Sequence, residues 1–190
     1  MSTQASTVAI FAGARAGKRP AYAAAAHALG RGLAEREIDI LYGGTALGLM
    51  EHVAHGCLAA GGRIQGVFPD VLLPYNIVEQ RVDCRVVATF AERKAVFMQA
   101  DAVIALPGGF GTLDEVFEML VLTQFGVRKP VVLWNIDGFF DGIVTWCDHA
   151  VAEELLSPHD RALLSVASTV DAVFTLLPAA HPAAGAVSQR

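Results

Sequence analysis

Hydrophobic residues along this chain occur in short runs, and longer segments rich in Ala, Leu, Glu and Arg separate them. Short apolar runs bounded by turn residues are typical of strands that are buried on both faces of a sheet. The segments between them have the length and apolar spacing of helices. The pattern predicts strands over 8–12, 38–42, 63–68, 84–87, 102–106 and 130–134, and helices over 20–37, 47–60, 91–100, 112–124 and 139–154.

The C-terminal part continues the alternation with shorter elements. A helix is predicted to start at Ser157-Pro158, a short strand to cover 163–166 and a last helix to cover 170–177. The order of elements predicts an α/β protein with one domain over residues 1–180. We expect a Rossmann-like, doubly wound parallel sheet with helices on both faces. The small and polar residues 181–190 are predicted to form a flexible tail.

The composition agrees with a compact core and limits the possible partners. The chain has 190 residues, of which 54% are hydrophobic and 17% charged, so it can bury enough apolar surface to fold. The mean hydropathy is +0.45, yet no apolar run reaches the roughly 18 residues of a membrane span, and we expect no membrane partner. A formal net charge of −5 argues against a nucleic-acid partner, which would require a basic face.

Cysteine usage and the first residues favour a cytoplasmic location. The three cysteines are far apart in sequence and form neither a CxxC pair nor an even disulfide framework. The residues before the first predicted strand lack the basic and apolar regions of a secretory signal.

Three Gly-rich turns follow predicted strands, at residues 11–17, 42–48 and 106–112. Ligands of doubly wound folds bind at this edge of the sheet. In the third turn, Gly108, Gly109 and Gly111 lack Cβ atoms, so backbone N–H groups can approach a ligand closely. Thr112 is predicted to open the next helix, whose N-terminus attracts an anion such as phosphate. We therefore predict a ligand-binding turn rather than a plain connection.

Glu115 has two interpretations that its spacing leaves open. Thr112 and Glu115 are separated as in a capping box, in which the Glu bonds back to the start of the helix. The same position at the mouth of the turn suits a carboxylate that faces a bound sugar.

A second capping-box pattern, Thr89 and Glu92, predicts the start of the helix that carries Arg93 and Lys94. Cations near a helix N-terminus oppose the helix dipole unless an anion binds nearby. A solvated basic pair and an anion-binding pair are both consistent with this position, and a guanidinium is the better group for bidentate phosphate binding.

Several other chemistries are disfavoured. The first turn is not a Walker A motif, because three residues rather than four separate its glycines and no Ser or Thr follows Lys18. His52 and His55 lie on one predicted helix without a second group of metal ligands. Lys18, Lys94 and Lys129 lack surroundings that suggest a Schiff base with pyridoxal phosphate. We expect no metal and no cofactor.

The motifs taken together resemble those of the Lonely Guy (LOG) family. The segment PGGFGTLDE at 107–115 is similar to the family's PGGxGTxxE motif, and ERK at 92–94 is similar to its upstream Arg-Lys motif. The segments YGG at 42–44 and GLM at 48–50 also match. The resemblance extends from residue 8 to about residue 177.

This resemblance implies a cytokinin riboside 5′-monophosphate phosphoribohydrolase or a close nucleoside monophosphate glycosidase. Such an enzyme cleaves the N-glycosidic bond and releases an adenine-type base and ribose 5-phosphate. A carboxylate near the sugar would stabilise the positive charge that develops there. The resemblance implies Arg93 and Glu115 as the catalytic pair, a homodimer with the site near the subunit interface, and no required metal. The residues predicted to bind the nucleotide substrate are Lys94, Gly108, Gly109, Phe110, Gly111, Thr112, Gly43, Gly44, Gly13 and Arg15.

The chain departs from the family's pattern at positions where the family has a His, a Gly, a Ser, an acidic residue and a Thr: these are Ala91, Thr45, Ala46, Asn76 and Val121. We expect Glu79 to substitute for the missing acidic residue.

The alternative function is that of a non-catalytic nucleotide or molybdenum-cofactor carrier of the same fold, which would also bind phosphate on Gly-rich loops. A DNA-uptake module is disfavoured by the net charge of −5.

Overall fold

The computed structural model describes residues 6–75, 77–127 and 129–178, so Asn76 and the predicted tail at 181–190 lie outside the described residues. The described strands form one parallel sheet in the order β4-β3-β2-β1-β5-β6-β7. The strands are β1 (Thr7–Phe11), β2 (Asp39–Tyr42), β3 (Ile64–Pro69), β4 (Asp83–Val87), β5 (Ala102–Ala105), β6 (Val131–Trp134) and β7 (Leu164–Ala167). The helices are α1 (Pro20–Ala34), α2 (Gly48–Ala59), α3 (Phe90–Phe97), α4 (Phe110–Gln124), α5 (Asp141–Ala152), α6 (Pro158–Arg161) and α7 (Val170–Thr175).

Two hydrophobic layers cover the two faces of the sheet, which confirms the predicted fold class. Side chains alternate along a strand, so Val8 and Ile10 of β1 contribute to the layer under α1 and α2. Ala9 and Phe11 contribute to the opposite layer, under α3, α4 and α5. Among the described helices, none has the length and apolar character needed to cross a bilayer.

The helix starts are set by local chemistry. The predicted start of α3 is confirmed, and the first bond of the capping box is present, because the Glu92 N–H donates to Thr89 Oγ1 over 3.1 Å. The Glu92 carboxylate accepts a hydrogen bond from the Ala88 N–H at 3.0 Å, one residue before the N-cap N–H that a full capping box uses. Helix α4 begins at Phe110, two residues before the predicted start at Thr112. Its N-cap is Gly109, which is extended and receives no side-chain cap.

The sheet changes its winding direction at β1, which lies between β2 and β5. The loops that follow the neighbouring strands β1 and β5 therefore diverge and leave a crevice at the carboxyl edge of the sheet. Two backbone hydrogen bonds join the loops around it. The Gly13 N–H donates to the Pro107 carbonyl at 3.0 Å, and the Leu49 N–H donates to the Gly13 carbonyl at 2.9 Å.

Candidate active site

A cavity of about 760 Å³ lies in this crevice. Its volume is within the range of small-molecule sites. The first, second and third Gly-rich turns all contribute to it, as the sequence predicted from their common edge of the sheet. Its apolar walls were not predicted, because their residues have the spacing of ordinary core positions. These are Ile10, Tyr22, Leu49, Met50, Phe68, Leu72, Ile77 and Phe139.

The third turn delivers the start of α4 to the cavity. The first helical residues are Phe110, Gly111 and Thr112, whose N–H groups have no partner one turn earlier in the helix. A Cβ at Gly109 or Gly111 would meet nothing within 4 Å, so the space in front of the backbone is open. Gly108 instead packs against the buried Thr112 side chain. The geometry suits an anionic group of a ligand.

Glu115 does not cap α4. The N-cap is Gly109, so Glu115 lies in the second turn, beyond the position from which a capping box reaches back. The capping-box interpretation of Thr112 and Glu115 is therefore wrong. The Glu115 side chain lines the cavity and is only 12% exposed.

Arg93 and Glu115 meet across neighbouring helices α3 and α4. Arg93 Nη2 lies 3.5 Å from Glu115 Oε1, and the arginine side chain is 14% exposed. Burial raises the pKa of Glu115 to about 7, and the positive charge of Arg93 offsets only part of this shift. A carboxyl with a pKa close to the working pH can change its protonation state during a reaction.

Lys94 faces away from the cavity and does not line it. Its Nζ atom lies 2.8 Å from Asp114 Oδ2 and 3.0 Å from Glu118 Oε2. Both carboxylates raise the pKa of Lys94. The side chain therefore ties α3 to α4 and supports the Arg93–Glu115 pair from outside, so we do not retain it as a substrate contact.

The glycines of the first two turns divide into two groups. Gly13 and Gly43 line the cavity, and so does the exposed Arg15 of the first turn. Gly44 does not line it. Gly44 has φ +74 and packs against the backbone of Gly66, so its role is in the close approach of adjacent strands rather than in ligand contact.

Thr45 and Ala46, two of the positions that depart from the family's pattern, bind the loop that carries Ile77, a residue of the cavity wall. The Thr45 hydroxyl donates to the Ile77 carbonyl at 3.0 Å. The Ala46 N–H donates to the same carbonyl at 2.8 Å. Ala91 and Val121 are both exposed and do not line the cavity.

Glu79 does not replace the missing acidic residue. It is 4% exposed and lies outside the cavity lining. Its carboxylate accepts hydrogen bonds from Arg81, which lower its pKa. Glu51, His55 and Glu79 bring ligand-type atoms within 4.8 Å of one another. Because the Arg81 guanidinium contacts both Glu79 and His55, it already supplies the positive charge at this cluster.

The fold and the cavity define a Rossmann-like α/β protein with a ligand-sized site at the switch point of the sheet. Residues 50–177 match the sequence model of a family described as possible lysine decarboxylase. The chain is 42% identical over 160 residues to cytokinin riboside 5′-monophosphate phosphoribohydrolase LOG7 of Arabidopsis thaliana, covering 83% of this chain and 74% of that protein. It is 39% identical over 178 residues to the probable phosphoribohydrolase LOGL6 of Oryza sativa subsp. japonica, covering 92% of this chain and 71% of that protein. The chain belongs to the LOG family.

Solved structures share the fold. The molybdenum cofactor binding protein of Rippkaea orientalis is 25% identical, with a TM-score of 0.68 and coverage of 92% of this chain and 96% of that one. The molybdenum cofactor carrier protein of Chlamydomonas reinhardtii is 22% identical, with a TM-score of 0.70 and coverage of 90% and 95%.

Proposed function

We propose that this protein is a hydrolase that cleaves the N-glycosidic bond of an adenine-type nucleoside 5′-monophosphate, with cytokinin nucleotides as the substrate class. The observation that carries this proposal is the Arg93–Glu115 pair, which lies in the same cavity as the open N-terminus of α4. The named phosphoribohydrolases, at about 40% identity over most of the chain, support the same activity.

The reaction adds water to the ribose C1′ and releases the base, whose departing nitrogen takes up a proton. Positive charge develops on the sugar as the glycosidic bond breaks, and the ionised Glu115 carboxylate would stabilise it or activate the water. Arg93 would orient the substrate and offset its negative charge. The α4 N-terminus would hold the 5′-phosphate on the N–H groups of residues 110–112.

The apolar walls of the cavity support a base that carries an apolar substituent. Met50, Phe68, Leu72 and Ile77 offer side chains without charge to such a group. A panel of nucleoside 5′-monophosphates, including AMP and its N6-prenyl derivative, tests the assignment by chromatography of the released base. The proposal fails if the purified protein releases base from none of them.

The matching family is described as possible lysine decarboxylase. A decarboxylase that uses pyridoxal phosphate needs a lysine in the active site to form a Schiff base. The lysines of this chain do not offer one. Lys94 is paired with two carboxylates, and Lys129 donates to the carbonyls of Met98 and Ala100. Lys18 is exposed directly after the first turn and does not line the cavity.

The 5′-phosphate should dominate substrate recognition. A hydrogen bond to a charged group contributes roughly 1.5–3 kcal/mol, and several N–H groups of residues 110–112 act together. We expect kcat/KM for AMP to exceed that for adenosine on the order of a hundredfold or more, measured as adenine release. Equal turnover of the two compounds would show that the start of α4 does not hold a phosphate.

Arg15 is proposed to replace polar contacts that the chain lacks elsewhere. It lines the cavity from the first turn, and its guanidinium can bind a phosphate or a ribose hydroxyl. Arg15→Ala should raise KM for AMP by about tenfold, the equivalent of one charged contact of roughly 1.4 kcal/mol, and leave kcat nearly unchanged. Lys18→Ala, which removes an exposed cation three residues further along the chain and outside the cavity lining, is the matched control. Unchanged kinetics in Arg15→Ala would show that the first turn does not compensate.

A carrier function remains the alternative from a different class. It rests on the shared fold with molybdenum cofactor proteins, at 25% identity or less in the comparisons above. The buried Arg93–Glu115 pair favours the enzyme, because a carrier needs no carboxylate of raised pKa beside the ligand.

We also propose that the protein forms a homodimer in a reducing, cytoplasmic environment. Large apolar side chains are exposed on and near α4 and α5, including Phe110, Phe125, Trp146 and Leu155. Trp146 and Leu155 line one apolar groove with Val121 of α4, and an exposed apolar groove of this kind favours association with a partner. The three cysteines are free. Light scattering of the purified protein would give the mass of two chains.

A further inference from the structure

Arg93 is held by packing more than by hydrogen bonds. Its Nε atom is buried and has no hydrogen-bond partner among the described residues. Its contact with Glu115 is long for a hydrogen bond, at 3.5 Å. The guanidinium carbon lies 5.2 Å from the centroid of the Phe97 ring, which is a cation–π distance. Phe97 is buried and packs edge-on against Phe11, so this ring is a fixed surface.

Gly43 provides the space on another side of the guanidinium. A Cβ at this position would lie 2.6 Å from Arg93 Nη2 and 2.6 Å from Met50 Sδ. Gly43 is not among the glycines with positive φ, so its backbone does not require glycine. The residue is therefore a glycine because two side chains occupy the place of a Cβ. These side chains are the proposed catalytic arginine and a wall of the cavity.

We propose that Gly43 is a positioning residue and not a direct contact of the substrate. Together with Met50 and Phe97, it holds the Arg93 guanidinium in place beside Glu115. The catalytic importance of this role rests on the proposed function. The contacts between Gly43, Arg93 and Met50 do not depend on that function. A guanidinium that is fixed by packing keeps N–H donors available and needs no rearrangement when a ligand arrives. The buried Nε–H of Arg93 is such a donor.

Gly43→Ala tests this seat with little risk to the fold. The three atoms nearest to the added methyl group would be the ends of two flexible side chains, Arg93 and Met50. We expect the variant to fold and the guanidinium to be displaced. The matched control is Gly142→Ala in α5, where a Cβ meets nothing within 4 Å. Circular dichroism and thermal melting verify that both variants are folded.

The primary measurement is the titration of the Glu115 carboxyl by ¹³C NMR in the substrate-free protein. Arg93 normally lowers the pKa of this carboxyl, so displacing the guanidinium should move the titration upward by about half a pH unit or more. The shift should be absent when Gly43→Ala is added to Arg93→Ala, because the two substitutions act through the same group. With AMP, Gly43→Ala should lower kcat/KM on the order of tenfold to a hundredfold, together with the shift in the Glu115 titration.

A direct substrate contact gives the opposite result and would overturn the proposal. In that case Gly43→Ala would raise KM and leave the Glu115 titration at its wild-type position. A titration shift that persists in the Arg93→Ala background would overturn it as well. If Gly43→Ala does not fold, Phe97→Leu removes another side of the seat and should shift the same titration. A wild-type protein that releases no base from any nucleotide refutes the proposed function but leaves the titration test intact.

Discussion

Replacing Glu115 by Gln should reduce base release by roughly a hundredfold or more, because the substitution removes the charge that stabilises the developing positive charge on the ribose. The size of the side chain is kept, so binding of the substrate should change little. Glu118→Gln, one turn further along α4, is the matched control, since Lys94 keeps its contact with Asp114. Near-wild-type turnover of Glu115→Gln on every nucleotide of the panel would remove Glu115 from the mechanism.

The pH dependence of the same variant provides a second measurement. The pKa of Glu115 is raised to about 7 in the folded protein, from an ordinary value of 4.5. A carboxyl with a raised pKa favours folding at low pH, and this contribution is lost as the pH rises through the folded pKa. Relative to the wild type, Glu115→Gln should therefore gain up to about 3 kcal/mol of stability between pH 5 and pH 8. Wild-type activity should rise through pH 7 as Glu115 ionises.

Arg93→Ala should nearly abolish base release. The substitution removes a group proposed to orient the substrate, and it also removes the charge that lowers the pKa of Glu115. We expect a loss of kcat/KM on the order of a hundredfold to a thousandfold, measured with AMP. Arg93→Lys should recover only part of the activity, because an ammonium group cannot reproduce the planar geometry of a guanidinium.

Arg85→Ala controls for the general loss of a positive charge. Arg85 is exposed on β4 and does not line the cavity. This variant should retain the activity of the wild type. An Arg93→Ala protein as active as Arg85→Ala would show that the proposed pair does not carry the reaction.

The sequence by itself determined the architecture of this protein. Short strands alternate with helices, and each predicted strand is present. The strands β1, β2, β5 and β6 are almost wholly buried, as their apolar runs predicted. The edge strands β4 and β7 are partly exposed. The three Gly-rich turns were placed at one edge by the same argument, since parallel strands all end there. The start of α3 was predicted from Thr89 and Glu92, because a capping box is a contact between residues three apart in sequence.

The tertiary structure decided which side chains meet at the site and how they are buried. Spacing left Glu115 equally suited to a capping box and to catalysis, and only the start of α4 at Phe110 separated the two. Arg93 and Lys94 are adjacent in sequence, yet one faces the cavity and the other faces Asp114 and Glu118. Burial in the assembled cavity, which no local pattern reports, sets the pKa of Glu115.

Gly43 is a second residue whose role the local sequence pattern could not determine. Its position in a Gly-rich turn indicated a ligand contact, but the structure shows the Arg93 and Met50 side chains where its Cβ would lie. Local patterns determine which residues form strands, helices and turns because those interactions span a few residues. Which side chain is paired, buried or seated against another depends on contacts between distant segments, and these exist only once the sheet and its two helical layers have assembled.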